Sequence, residues 1–108
     1  MRRAEIWWAD MPAPAGRRPV VLLSRDEVYV FRELVTIAPV TTRIRNIPVE
    51  VALGKSEGLP KRCVANLDTI TTIPKKCLVE RIGPLPAEKV KELDNAIRLA
   101  LGLDPISP

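Results

Sequence analysis

Residues 16–24 read GRRPVVLLS, and the fold can be predicted outward from this stretch. The four consecutive apolar residues Val20–Leu23 predict a strand buried on both faces, because no polar residue alternates with them. Arg17 and Arg18 stand at the start of that strand, where a charge costs free energy of desolvation unless it has a partner or a task. The stretch therefore predicts a buried strand that begins with two arginines, each of which has either an ionic partner or a functional role.

The segments around this strand are short and mostly β-favouring. Pro39 predicts an edge position or a bulge for the strand that contains it. Residues 24–34 fit either a short helix or a strand. The chain has 11 prolines and 5 glycines, which indicates short segments broken by turns rather than long helices. Besides Arg18–Ser24, strands are predicted over Ala4–Asp10, Leu34–Thr42, Pro48–Leu53 and Leu78–Ile82. Arg62–Leu67 and Asp68–Ile73 fit either two strands or a strand followed by a turn.

The period of the apolar residues changes to that of a helix after Pro86. Pro86 suits the first turn of this helix, and Gly102 suits the position just past its end. The apolar stripe consists of Val90, Leu93, Ile97 and Leu101, widened by Ala96 and Ala100. We therefore expect a mainly β fold (β with minor α), a small β-barrel of five to seven short strands with a C-terminal α-helix.

Size and composition limit the function classes. The chain has 108 residues, 46% of them hydrophobic and 28% charged, so we expect a single domain over residues 1–108. No apolar run approaches the roughly 20 residues of a membrane span. Glu5 and Asp10 interrupt the N-terminal segment where a signal peptide would be apolar, which predicts a cytoplasmic protein. A net charge of +4 is compatible with a polyanionic partner such as nucleic acid.

The chain contains no histidine, which removes several classes of mechanism. A Ser-His-Asp triad, a Cys-His pair and a histidine-based zinc centre are all excluded. No glycine-rich phosphate-binding motif is present. Cys63 and Cys77 lie too far apart for a CxxC motif and are interpreted as two free thiols. No metal and no cofactor is expected.

Arginine, hydroxyl and carboxylate chemistry remains, and it is sufficient for cleaving RNA. RNA carries its own nucleophile, the 2′-hydroxyl, so an enzyme needs only positioning, charge neutralisation and proton transfer. Arg17 or Arg18 can grip a phosphate with two hydrogen bonds and stabilise charge on its oxygens. Arginine is a poor general base because its pKa exceeds about 12.

The order of motifs along the chain resembles the MazF/PemK family of type II toxins. The matching stretches are AEIWWADM, GRRPVVLLSRD, TIAPVTT, PVEVAL, CVANLDTITTIPKKCL and the helix ending IRLALGL. The resemblance implies an SH3-like barrel that forms a homodimer. It also implies a metal-independent, sequence-selective endoribonuclease that cuts single-stranded RNA to a 2′,3′-cyclic phosphate and a 5′-hydroxyl. The implied partner is a cognate MazE-type antitoxin, whose acidic segment lies in the RNA groove.

The resemblance also assigns site residues. Arg18, before Pro19, and Thr41, after Ala38-Pro39-Val40, stand where the family has its catalytic arginine and threonine. The implied RNA-binding residues are Arg17, Thr42, Arg43, Cys63 and Thr69. The chain departs from the family at Cys63, where many members have serine, and at Thr69, where glutamine is common. No general base is assigned, Glu50 being the nearest guess.

Two other residue pairs carry expectations. Trp7 and Trp8 should point to opposite faces of the first strand, one into the core and the other toward a base or a dimer interface. Arg43 and Arg45 are assigned to alternate faces of an extended segment, so at most one is expected to face RNA.

Two alternatives of other functional classes remain open. The first is a CcdB-like toxin that inhibits a protein target such as gyrase without being an enzyme. Such toxins act through a terminal Trp-Gly-Ile ending, whereas this chain ends GLDPISP. The second is an SH3-like RNA-binding module in which Arg18 and Thr41 are inert.

Overall fold

A computed structural model describes residues 1–103 of the chain. Within this range it contains seven strands and two α-helices, which confirms the expected mainly β fold. The strands are β1 (Glu5–Met11), β2 (Gly16–Leu22), β3 (Leu34–Thr41), β4 (Glu50–Leu53), β5 (Cys63–Asn66), β6 (Thr71–Pro74) and β7 (Leu78–Pro84). The helices are α1 (Val28–Phe31) and α2 (Ala87–Ala100). The end of the GLDPISP stretch, on which the gyrase-inhibitor alternative depends, lies outside the described residues.

The structure settles two segments: the one after β2, which fitted a helix or a strand, and the C-terminal helix, whose ends the sequence predicted approximately. Residues 24–33 form a loop and the short helix α1 rather than a strand, and Leu34 begins β3. Helix α2 begins at Ala87, one residue after Pro86, and Gly102 follows its end with a φ of +68°. The Leu103 N–H donates to the Arg98 carbonyl at 2.9 Å, which closes the helix end in the manner expected of a glycine at this position. None of the described helices has the length and apolarity to cross a membrane.

The sheet runs in the order β4-β5-β3-β2-β1-β7, with β6 also paired to β3. Strand β3 therefore lies inside the sheet, so of the two alternatives predicted from Pro39, an edge position or a bulge, the edge position is wrong. Residues 34–37 of β3 pair with β6, and residues 40 and 41 pair with β5. Pro39 lies between these two ladders. Because proline has no N–H to donate, it fits the place where β3 changes partner.

Strand β2 has a separate core on each face, which confirms the interpretation of Val20–Leu23. Val21 is fully buried on one side, in a cluster with Leu93 of α2. Val20 and Leu22 are buried on the other side, in a cluster with Tyr29 of α1. Strand β2 is thus held from both sides directly after Arg17 and Arg18, which lie in its first half.

A buried carboxylate ties β1 to β7. Glu5 is only 7% exposed, and its Oε2 accepts a hydrogen bond from Nε of Arg81 at 2.7 Å. Its Oε1 accepts from Nε1 of Trp7 at 3.1 Å and from the backbone N–H of Arg2 at 2.9 Å. Burial alone would raise the pKa of Glu5, but the three donors outweigh it and the pKa is lowered.

Replacing Glu5 by glutamine should lower the free energy of unfolding at pH 7 by about 2 kcal/mol. The buried side chain loses its charge in this variant, and half-exposed Arg81 loses the partner of its ion pair. A group whose pKa falls on folding stabilises the protein above its ordinary pKa, here 4.5, and loses that contribution as the pH falls through the lowered value. The gap between wild type and Glu5→Gln in urea titrations should therefore shrink in acid. Glu92→Gln, on exposed Glu92, is the control; equal losses for both variants would contradict the assignment.

Candidate active site

The strand register brings Arg18 and Thr41 together. In the β2–β3 ladder, Val20 pairs with Pro39, Val21 with Ala38 and Leu22 with Ile37. Continued by two residues, this register sets Arg18 opposite Thr41 on one face of the sheet. Both residues line one open pocket of about 170 Å³.

Arg18 is exposed but held by its own loop. Its Nε donates to the carbonyl of Ala15 at 2.9 Å, which leaves the two terminal nitrogens of the guanidinium to face a ligand. The backbone reaches this point through Gly16, whose φ of +66° favours glycine. Buried Val20 and Val21 follow closely and fix the strand. Arg18 is therefore a cation at a fixed position of the backbone, and its two terminal nitrogens can donate hydrogen bonds to one ligand.

Thr41 presents a hydroxyl with a defined polarity. Its Oγ1 accepts a hydrogen bond from the backbone N–H of Arg43 at 3.1 Å. Because the oxygen already accepts, the hydroxyl hydrogen can point into the pocket and donate to a ligand. Thr41 is the last residue of β3, so the sheet fixes its position.

Two arginines beyond Thr41 line the same pocket, which makes the expectation for Arg43 and Arg45 wrong. Residues two apart in an extended chain share a face, so a single face was the correct inference. The loop that carries them is fixed by Glu50, whose carboxylate accepts from the backbone N–H of Arg45 at 3.0 Å and of Asn46 at 3.0 Å. Glu50 is thus engaged in shaping the loop.

Arg17 is separated from Arg18 by the alternation of β2. Its guanidinium forms an ion pair with Glu80 of β7 at 2.8 Å and lies over the ring of Trp8, 5.4 Å from its centroid. It is not among the residues that line the Arg18 pocket. The structure therefore gives Arg17 a partner and does not bring it to the Arg18–Thr41 pair.

Thr42 and Cys63 line a neighbouring, more apolar pocket of about 160 Å³, which Trp8 and Thr41 also line. Thr42 is exposed, whereas Cys63 is 4% exposed and packs in the core. Burial and, to a lesser degree, nearby Glu57 raise the pKa of the Cys63 thiol, which disfavours the reactive thiolate. Both cysteines are free thiols, as expected.

The remaining predicted residues divide between the two faces of the sheet. Thr69 lines the Arg18 pocket and is exposed, with its Oγ1 donating to the carbonyl of Asn66 at 3.3 Å. Trp7 packs against the core cluster of Tyr29 and donates to Glu5, while Trp8 lies on the opposite face beneath Arg17. One tryptophan in the core and one outside it is the arrangement that the strand alternation predicts.

Two residues of the pocket were missed by the sequence reasoning. Arg45 could have been found from its spacing of two from Arg43. Asn66 carried a second signal, because it is a polar residue inside the otherwise apolar run of β5, and buried polar groups need partners.

Comparison with known proteins gives consistent matches over most of the chain. The family model described as "PemK-like, MazF-like toxin of type II toxin-antitoxin system" matches residues 2–101. The probable endoribonuclease MazF5 of Mycobacterium tuberculosis is 38% identical over 100 residues, which cover 92% of this chain and 91% of that protein.

Solved structures of toxins share the fold. Mycobacterium tuberculosis toxin MazF-mt6 superposes with a TM-score of 0.85 at 35% identity, over 93% of this chain and 98% of that one. A mycobacterial endoribonuclease solved in complex with its cognate antitoxin has a TM-score of 0.85 at 28% identity, over 96% and 97% of the two chains.

Proposed function

This chain belongs to the PemK-like, MazF-like family of type II toxins. We propose that it is an endoribonuclease toxin that cleaves single-stranded RNA, with Arg18 and Thr41 acting on the scissile phosphate. The observation that carries the proposal is the pocket in which these two residues lie together with Arg43 and Arg45. Three guanidiniums around one hydroxyl donor suit the phosphodiester backbone of RNA. We further propose that residues 1–108 act as a single domain.

The pocket would promote attack of the RNA's own 2′-hydroxyl on the adjacent phosphorus. The O2′–P bond forms and the P–O5′ bond breaks, which yields a 2′,3′-cyclic phosphate and a 5′-hydroxyl. The 2′-hydroxyl proton is lost to solvent, and the leaving oxygen gains a proton from solvent. Arg18 would neutralise the charge that builds on the phosphate and the leaving oxygen, while Thr41 would donate to a phosphoryl oxygen.

The proposal is tested by incubating the purified protein with a long natural RNA in excess EDTA. We expect cleavage at a short recurring sequence, with products that carry cyclic phosphate and 5′-hydroxyl ends. Sequencing the 5′ ends gives the cleavage sequence, and mass spectrometry of short products gives the 3′ ends. Cleavage that needs added Mg²⁺, or products with 5′-phosphates, would contradict the mechanism. Inhibition of DNA supercoiling without RNA cleavage would favour the gyrase-inhibitor alternative.

The protein's partners follow from the same pocket. We propose that a cognate MazE-type antitoxin covers the arginines with an acidic segment and so competes with RNA. Thr69 is proposed to contact RNA in the Arg18 pocket, and Arg17, Thr42 and Cys63 beside it, the last two from the neighbouring pocket that they line. Because its substrate is cellular RNA, we propose that the toxin acts in the cytoplasm.

A homodimer is proposed as well. Phe31 is 80% exposed, Val30 72% and Leu34 57%, so α1 and the start of β3 present apolar surface to solvent. Contiguous exposed apolar side chains are typical of interaction surfaces. Light scattering should give a mass of twice the 12.0 kDa chain, and a monomer at micromolar concentration would contradict the proposal.

A further inference from the structure

Asn66 is a polar side chain buried in the candidate active site. It is the last residue of β5, it is only 8% exposed, and it lines the pocket that contains Arg18 and Thr41. The β3–β5 register, in which Val40 pairs with Ala65, places Asn66 opposite Pro39 when continued by one residue. Pro39 lines the same pocket.

The orientation of the Asn66 amide follows from its hydrogen bond. Its Oδ1 accepts from the backbone N–H of Asp68 at 2.9 Å, and only the oxygen of the amide can accept. The Nδ2 group must therefore point the other way. Among residues 1–103, Nδ2 donates to no protein group, and the one fully buried side-chain polar atom without a partner is Oη of Tyr29. The Asn66 nitrogen thus remains accessible.

An oriented donor that no protein group occupies is hydrated in the free protein and can exchange its water for an acceptor on a ligand. The charge of the pocket indicates the ligand. Arg18, Arg43 and Arg45 can only donate, and the Thr41 hydroxyl keeps its hydrogen for the ligand because its oxygen accepts from the Arg43 N–H. Of the polar side chains beside Asn66 in the pocket, Thr69 alone uses its hydroxyl hydrogen within the protein, on the Asn66 carbonyl. A nucleobase presents both donors and acceptors, whereas the phosphoryl oxygens of RNA only accept.

We infer that Asn66 is a further catalytic residue, whose Nδ2 donates a hydrogen bond to a non-bridging oxygen of the scissile phosphate. This inference rests on the proposed function. The charge on the two phosphoryl oxygens grows in the transition state, and each oxygen can accept more than one hydrogen bond, so a donor from Asn66 adds to those of the arginines and Thr41. A fixed neutral donor that faces them would act on kcat more than on KM.

The test combines an Asn66 variant with substrates that carry one sulfur. Asn66→Ser keeps an oxygen that can accept from Asp68 and removes the amide donor. We expect kcat to fall about 10²-fold with little change in KM, as for the loss of one oxyanion donor. Sulfur is a poor acceptor, so in wild type one of the two phosphorothioate diastereomers at the cleaved step should react more slowly. The diastereomer effect, which is the ratio of the cleavage rates of the two diastereomers, should fall toward one in Asn66→Ser.

Controls separate this inference from the proposed function. Asn95→Ser, the same change at an exposed position of α2, should leave both kcat and the diastereomer effect unchanged. If wild type does not cleave RNA, the proposed function fails. If wild type cleaves and Asn66→Ser keeps the full diastereomer effect, the inference alone is wrong.

A second variant covers a failure of Asn66→Ser to fold. Asn66→Asp has the same shape and retains an oxygen for the Asp68 N–H, but it replaces the donor by a negative charge. Its kcat should fall further than that of the serine variant, again with loss of the diastereomer effect. Circular dichroism and thermal unfolding check both variants. Cleavage by Asn66→Asp at the wild-type rate would overturn the inference.

Discussion

Arg18→Ala is expected to reduce the rate constant of RNA cleavage by at least about 10³-fold, in the range seen when an arginine that stabilises phosphoryl charge is removed. The variant should fold normally, because Arg18 is exposed and the only hydrogen bond that it loses among the described residues joins Nε to Ala15 within its own loop. The measurement is single-turnover cleavage of an oligonucleotide that contains the mapped sequence. Arg18→Lys should recover part of the loss, since lysine keeps the charge but not the forked donor geometry.

Arg25→Ala is the matched control for this prediction. Arg25 is exposed, forms a 3.6 Å ion pair with Glu27 in the loop before α1, and does not line the Arg18 pocket. Its removal lowers the net charge by the same amount, so it reports any general effect of charge on RNA binding. Equal losses in Arg18→Ala and Arg25→Ala, or full activity in Arg18→Ala, would show that Arg18 does not act on the phosphate.

Thr41→Val should reduce kcat by about 10²- to 10³-fold, because valine keeps the β-branched shape required at the end of β3 and lacks the hydroxyl donor. Thr41→Ser should retain most of the activity, since it keeps the hydroxyl. Both variants are measured in the single-turnover assay, with thermal unfolding as the check on the fold. The Arg43 N–H loses its acceptor only in the valine variant, so a small loss of stability is expected there.

Thr72→Val serves as the control for Thr41→Val. Thr72 is an exposed threonine on β6, it pairs with Thr36 of β3, and it does not line the pocket. The same chemical change at this position should leave cleavage unchanged. A Thr41→Val protein that cleaves as fast as Thr72→Val would remove Thr41 from the mechanism.

The local elements of this fold could be predicted from the sequence, whereas the partners of its strands could not. Val20–Leu23 indicated burial on both faces, and the spacing from Val90 to Leu101 indicated one helix, because side-chain periodicity reports directly on faces. Pro39 shows the limit of such reasoning. A proline excludes a ladder hydrogen bond, but the sequence does not say whether the ladder ends at a sheet edge or at a change of partner inside the sheet.

The candidate site shows the same division. Arg18 and Thr41 were assigned through the resemblance to the toxin family, and only the β2–β3 register explains why residues 23 positions apart line one pocket. The strand alternation separates Arg17 from Arg18, although the two are adjacent in the sequence. Asn66 is visible in the sequence as a polar residue in an apolar run, but the orientation of its amide required the structure, because it is set by the Asp68 N–H that donates to Oδ1.

The loop that carries Arg43 and Arg45 could be exchanged as a unit, because the carboxylate of Glu50 holds its shape. Arg18 and Thr41 belong to a sheet fixed by two cores, but Arg43 and Arg45 lie on a loop whose shape depends on hydrogen bonds to this one side chain. Residues 42–50 could therefore be grafted as a unit from a relative, provided that the glutamate is transferred with them. In such a chimera Arg18 and Thr41 would keep their places while the cations beside them changed, so the grip on the RNA backbone could be altered separately from the pair that acts on the phosphate.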